Sequence, residues 1–174
     1  VLGLPIHACV IEALGRDAGW VTAASVMAKS GKAPGADIIL VPEVPFDKDK
    51  FLTRVEKIHK EKGGVVIVAS EGMRYSDKTP IVEPVFQVGR SVYFGDVSSH
   101  LSNLIIKELG IKARSEKPGI LGRASISWQS DIDRAEAIEC GRVSVRCALE
   151  GKNGYRSVIK RISSEPFKFE AIES

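Results

Sequence analysis

Short, continuous apolar runs alternate along this chain with longer stretches whose apolar residues recur at helical spacing. Ile6–Ala13, centred on Val10-Ile11, reads as a first buried strand. The turn Gly15-Arg16-Asp17-Ala18-Gly19 follows, and the small residues from about Ala18 to Lys29 predict a helix with Asp17 as its N-cap. Ala36–Val41 is a strand of the kind covered on both faces, and Pro42-Glu43-Val44-Pro45 breaks it. Asp47 opens an amphipathic helix with Phe51, Leu52, Val55 and Ile58 on one stripe, closed by Gly63-Gly64. Val65–Ala69 is the clearest buried strand. The stretch from Glu71 to Gly95 is polar and rich in turn formers, and reads as a long functional or mobile loop. A helix is predicted near Val97–Leu109, then a short strand at Ile111–Arg114 and a turn at Pro118-Gly119. Ser130 with Asp133 marks the capped start of a helix running to about Leu149, and Tyr155–Arg161 reads as a last strand.

Strand and helix alternate repeatedly, which implies an α/β fold with a largely parallel sheet and right-handed crossovers. A length of 174 residues suits one domain, and 44% apolar with 27% charged residues excludes disorder as the default state. The net charge of +3 is too small to argue for nucleic acid and is compatible with a small anionic substrate. No apolar run approaches the roughly 20 residues that span a bilayer, so no membrane partner is expected. Cys9, Cys140 and Cys147 show no metal-ligand spacing. Cys140 and Cys147 lie in one predicted helix about 10 Å apart along its axis, beyond the roughly 4.4–6.8 Å of a disulfide. The chain starts at Val1 without a methionine or a basic leader, as a cut inside a longer chain would. A reducing, cytoplasmic setting is expected.

In parallel sheets ligands bind beyond the carboxyl ends of the strands, which singles out three segments. Leu14-Gly15-Arg16 combines a glycine that lets backbone approach a ligand with a forked cation suited to phosphate. Glu71-Gly72-Met73 places a carboxylate where sugar hydroxyls could donate to it. Arg114 and Arg123 flank Pro118-Gly119 and could converge on one phosphate. Taken alone, each reads more readily as a turn or loop with a solvated side chain. His7, His59 and His100 have no matching Ser or Cys partner, and there is neither a Walker A loop nor G-x-G-x-x-G.

Together and in order, these segments resemble the phosphofructokinases. Ile11-Glu12-Ala13-Leu14-Gly15-Arg16-Asp17-Ala18-Gly19-Trp20 is similar to that family's hexose-phosphate signature, V-E-x-M-G-R-x-A-G-[WF]. Gly35-Ala36-Asp37 through Pro42-Glu43 resembles its G-A-x-x-x-x-x-P-E segment, and Val65–Gly72 the strand ending in its substrate-contacting glutamate. Pro118–Arg123 resembles its P-G-x-L-Q-R stretch, followed by the pair Asp133-Arg134. The resemblance implies a three-layer Rossmann-like sandwich, one domain of a two-domain enzyme. Residues 1–123 would form the part that binds fructose 6-phosphate, and 124–174 a helix and strand that pack on a donor domain.

It also implies roles. Leu14 and Gly15 would offer backbone contacts to fructose 6-phosphate, Arg16 would stabilise the transferred phosphoryl group, and Glu71 would accept from a sugar hydroxyl. Arg123 would hold the 6-phosphate, Arg114 that of a neighbouring subunit, and Ile120 would line the phosphate site. The implied reaction is the glycolytic transfer of a phosphoryl group to the 1-hydroxyl, with Mg²⁺ and with pyrophosphate, favoured by Arg-Ser-Glu-Lys-Pro-Gly, or ATP, in a homo-oligomer. There are departures: Leu14 replaces methionine, Ile120 a histidine or tyrosine, Gly122 a glutamine, and His7 an arginine. The family's G-G-D-G-S phosphate loop and its T-I-D-N-D segment with the general base do not occur in these residues. The isolated chain is therefore expected to bind sugar phosphate without turnover, and the magnesium to be held mainly elsewhere. The alternative is a non-catalytic regulatory or scaffolding module binding an anionic effector through Arg16, Arg114 and Arg123.

Overall fold

A computed structural model of the chain describes residues 6–29, 34–89 and 91–174, without the side chains of Ser91 and Arg123. The chain forms two compact units, Val1–Arg123 and Ala124–Ser174.

In the first unit, β1 (Ala8–Ala13) leads to α1 (Trp20–Ala24), β2 (Ile38–Leu40), α2 (Lys48–Lys62) and β3 (Val65–Ser70). A hairpin of β4 (Pro84–Val88) and β5 (Ser91–Phe94) comes next, then α3 (Val97–Leu109) and β6 (Ala113–Glu116). The main sheet has the order β2-β3-β1-β6, and every pairing is parallel. Period-two alternation sends Ala8 and Val10 of β1 and Val65, Ile67 and Ala69 of β3 to one face. There they pack with Phe51, Val55 and Ile58 of α2 and Leu101 and Ile105 of α3. Among the described residues of this unit, the opposite face carries α1, which packs against β2 and β3, with the 3-10 turn Ser25–Ala28 following it. Cys9, Ile11 and Val66 are accordingly half-buried. The fold is α/β with a parallel sheet, as expected, but its second helical layer is thin.

Local differences from the sequence reading have physical causes. Asp47 does cap α2, its Oδ1 accepting from the Lys50 N–H at 3.0 Å, and Gly63 ends that helix at φ 73°. Asp17 does not cap α1, whose N-cap is Gly19. The Gly19 N–H donates to Glu43 Oε1 at 2.8 Å, so a carboxylate from beyond β2 anchors the residue at which α1 starts. Residues 84–88 and 91–94, read as loop, form an antiparallel ribbon in which Val88 pairs with Ser91 and the rings of Phe86 and Tyr93 stack at 4.4 Å. Gly89, just past β4, takes the left-handed φ of 57° that glycine adopts without strain. The strand expected at Ile111–Arg114 runs later, Ala113–Glu116, because Ile111 turns into the core.

The short α4 (Leu121–Ala124) lies at the division between the units. The second unit contains α5 (Asp131–Leu149) and a hairpin of β7 (Ser157–Ser164) and β8 (Phe167–Glu173). The sequence reading had one strand there, though Phe167, Phe169 and Ala171 do alternate with Lys168 and Glu170 at period two. The helix buries Val143 and Cys147, one turn apart. Its other apolar residues, Ile132, Ile138, Val145 and Leu149, stay exposed. Ser130 caps the helix, its Oγ accepting from the Asp133 N–H at 3.3 Å. Ser130→Ala is expected to destabilise α5 by about 1 kcal/mol, seen as an earlier loss of far-UV circular dichroism on heating. All three cysteines are free, and no described helix is long and apolar enough to cross a membrane.

Candidate functional site

The sheet order determines where a ligand can sit. After β1 the chain passes across to β2, beyond β3, and after β3 it passes the other way to β6, beyond β1. Right-handed crossovers in opposite directions put the two connections on opposite faces. They leave a crevice between the carboxyl ends of β1 and β3, the topological switch point where such sheets bind ligands. The loop Leu14–Gly19 and the residues Glu71 and Gly72 form that crevice.

These two loops interlock. The Gly15 N–H donates to Glu71 Oε1 at 3.1 Å, and the Glu71 N–H donates to the Ala13 carbonyl at 3.1 Å. The Ser70 hydroxyl donates to the Gly15 carbonyl, while its Oγ accepts from the Gly72 N–H at 3.2 Å. Gly15 has φ 132°, a region disfavoured for side-chain-bearing residues, and a Cβ there would lie 2.4 Å from the Ala18 carbonyl oxygen. Gly72 is more constrained by space, since its Cβ would lie 1.6 Å from the Arg16 carbonyl oxygen. The backbone of Arg16 therefore rests on Gly72, and its exposed side chain starts from a fixed point.

Glu71 is half-buried, with one carboxylate oxygen engaged by Gly15. An acceptor oriented in this way suits a sugar hydroxyl. Arg16, Glu71, Arg74, Pro80 and Phe94 line a depression of about 10 Å³, room for little more than one water, so a sugar phosphate would lie over the loops. Arg74 Nη2 is 3.6 Å from Asp17 Oδ1, an exposed pair at the mouth of this depression.

The third segment reaches the same edge. Glu116 at the end of β6 is in register with Ile11, so Lys117 and Pro118 emerge beside the end of β1. Ile120 is 75% exposed and Leu14 half-buried. The Arg123 backbone belongs to α4, and its side chain lies outside what the structure describes. Arg114 stands apart. It pairs with Cys9, four residues back from Ala13, about 13 Å down the strand. There it lines an open groove of about 770 Å³ with Ser99, Asn103 and Ile106 of α3. His7 and His59 stack at 5.3 Å, and the His7 backbone bonds to Lys112 and Val65 at the amino end of the sheet, away from the crevice.

Sequence reasoning gave Glu43 and Ser70 no role, although both fix the loop. Glu43 was signalled by the Pro42-Glu43 motif just past a strand, and Ser70 only by its place at the last residue of one. Glu12 and Lys117 were missed as a pair, since nothing in the sequence couples residues 105 positions apart.

The phosphofructokinase family profile matches residues 6–148. This chain belongs to the phosphofructokinase family. It is 36% identical over 165 residues to the pyrophosphate–fructose 6-phosphate 1-phosphotransferase of Halomonas elongata, covering 91% of this chain and 38% of that protein. It is 30% identical over 147 residues to an ATP-dependent 6-phosphofructokinase of Nostoc sp., covering 84% of this chain and 38% of that one. The crystal structure of a pyrophosphate-dependent phosphofructokinase from Marinobacter aquaeolei superposes with a TM-score of 0.71 at 30% identity, over 97% of this chain and 39% of that one. The chain thus spans about two fifths of the length of the phosphofructokinases it matches.

Proposed function

We propose that this chain is the sugar-phosphate-binding part of a phosphofructokinase that transfers a phosphoryl group to the 1-hydroxyl of fructose 6-phosphate. The observation that carries this reading is the interlock at the switch point. Gly15, Arg16 and Glu71, residues of a family signature, are brought from two loops into one rigid edge by the Gly15–Glu71 hydrogen bond. That edge offers a phosphate-seeking guanidinium and an oriented carboxylate side by side. Glu71 would accept from a sugar hydroxyl, Arg123 would bind the 6-phosphate, and Arg16 would meet the charge that develops on the transferred group. Pyrophosphate is the favoured donor, since the pyrophosphate-dependent relative is more similar than the ATP-dependent one.

The described residues contain no cluster of three or more His, Cys, Asp or Glu that could hold a metal. We assign the magnesium ion mainly to residues outside this chain. The general base is likewise assigned to residues outside this chain. In the parent enzyme we assign Arg114 to a neighbouring copy's phosphate, which makes the assembly a homo-oligomer.

Calorimetry tests the reading. The chain should take up fructose 6-phosphate weakly and turn it over with neither pyrophosphate nor ATP. Arg123→Ala should weaken uptake by roughly tenfold, the effect of losing one charged hydrogen-bonding partner. Equal uptake of any phosphate, indifferent to Arg123, would point to an effector-binding module instead. Measurable turnover by the chain alone would overturn the assignment of the base.

A further inference from the structure

We propose that Lys117 is a positioning residue for the sugar-phosphate site, clamping the Pro118–Arg123 segment to the end of β1 and the start of α3. This rests on the reading of the site given above.

The anchor is Glu12, only 5% exposed although it carries a carboxylate. Its Oε2 accepts from the Ser98 N–H in the first turn of α3 at 3.0 Å, where the helix's free N–H groups favour an anion. Its Oε1 lies 3.1 Å from Lys117 Nζ. The same ammonium also donates to the Asp96 carboxylate, and Asp96, though the N-cap residue of α3, makes no side-chain cap bond. One cation therefore joins three segments. Glu12 stands two residues before the Leu14–Arg16 loop, and Lys117 immediately precedes Pro118–Arg123. Asp96 fixes the start of α3.

The pairing is built rather than incidental. A buried carboxylate without a partner is costly, so Glu12 requires a cation, and the Lys117 stem reaches in from a side chain that is 44% exposed. The bonds to Asp96 and then to Glu12 push the Lys117 pKa above its ordinary value, so the clamp stays charged through neutral pH. The exposed pair Lys48–Glu108 at 2.6 Å joins α2 to α3 away from the site and serves as a control. If Lys117 only stabilised the fold, its loss would act on binding no differently from the loss of Lys48.

The test uses the chain as it is. Lys117→Met should weaken uptake of fructose 6-phosphate by roughly fivefold, and Lys117→Arg should restore most of it. Hydrogen exchange should quicken at residues 113–124 in Lys117→Met and remain unchanged across α2. Introduced together with Arg123→Ala, Lys117→Met should cost little further, because its effect passes through that segment. Asp96→Asn, which leaves the buried pair intact, should give a smaller effect in the same direction and replaces Lys117→Met if that variant does not fold. Lys48→Met should bind normally. Normal binding and unchanged exchange in Lys117→Met, or the same fold-loss with and without Arg123, would overturn the clamp while leaving the site reading in place. No uptake by the unaltered chain would overturn the site reading and the clamp with it.

Discussion

Gly72→Ala is expected to weaken fructose 6-phosphate binding by roughly tenfold or more and to destabilise the first unit by about 1–3 kcal/mol. The added methyl would stand 1.6 Å from the Arg16 carbonyl oxygen and 2.4 Å from its carbonyl carbon. Both are backbone atoms, so no rotamer change relieves the overlap. Either the β1 loop lifts from the end of β3 or the Gly72 turn retreats from it. Each movement strains the Ser70 bridge and the bond between Gly15 and Glu71, which tie the same two loops. Arg16 and Glu71 would then no longer present a fixed spacing to one ligand. Calorimetry with fructose 6-phosphate, alongside thermal unfolding, checks both parts. Full affinity in a stably folded variant would show that the interlock does not set the site.

Glu71→Ala should be comparably damaging to binding, for a different reason. It removes the acceptor proposed for a sugar hydroxyl and leaves the Gly15 N–H without its partner at 3.1 Å. Hydrogen bonds to charged groups are worth about 1.5–3 kcal/mol, so the expected loss in affinity is roughly 10- to 150-fold. Glu71→Gln separates the two contributions. Its amide oxygen can still accept from Gly15 and hold the loop, while the charge facing the sugar is gone, so an intermediate loss is expected. If Glu71→Gln bound as poorly as Glu71→Ala, charge would matter more than loop position. If both bound normally, Glu71 would not touch the substrate.

The sequence determined the periodic elements because their signals are local. Val65–Ser70 had to be a buried strand, and Asp47 and Gly63 marked the ends of α2 through capping and left-handed geometry that depend only on near neighbours. The signature Ile11–Trp20 made the site region legible by the same route, since its two glycines and arginine lie within five residues of one turn. Weak propensity over Val21 and Thr22 left α1 shorter than its small residues suggested, and the β4–β5 ribbon was hidden among turn formers.

Tertiary structure decided what depends on residues distant in sequence. Only the order β2-β3-β1-β6 makes β1 and β3 neighbours and opens the crevice between them. Only that adjacency lets Glu71 accept from Gly15, 56 positions away, and only the placement of β2 beside β3 brings Glu43 to the Gly19 N–H. It also sets Arg114 beside Cys9, well back from the end of β1, although Arg114 and Arg123 had looked able to converge on one phosphate. The face that α5 buries, Val143 and Cys147 rather than Ile138 and Val145, was likewise set by the β7–β8 hairpin. A sequence records which side chains can bury or bind. Which of them meet depends on the sheet, because strand pairing brings distant loops to a common edge and register fixes which residues face each other there.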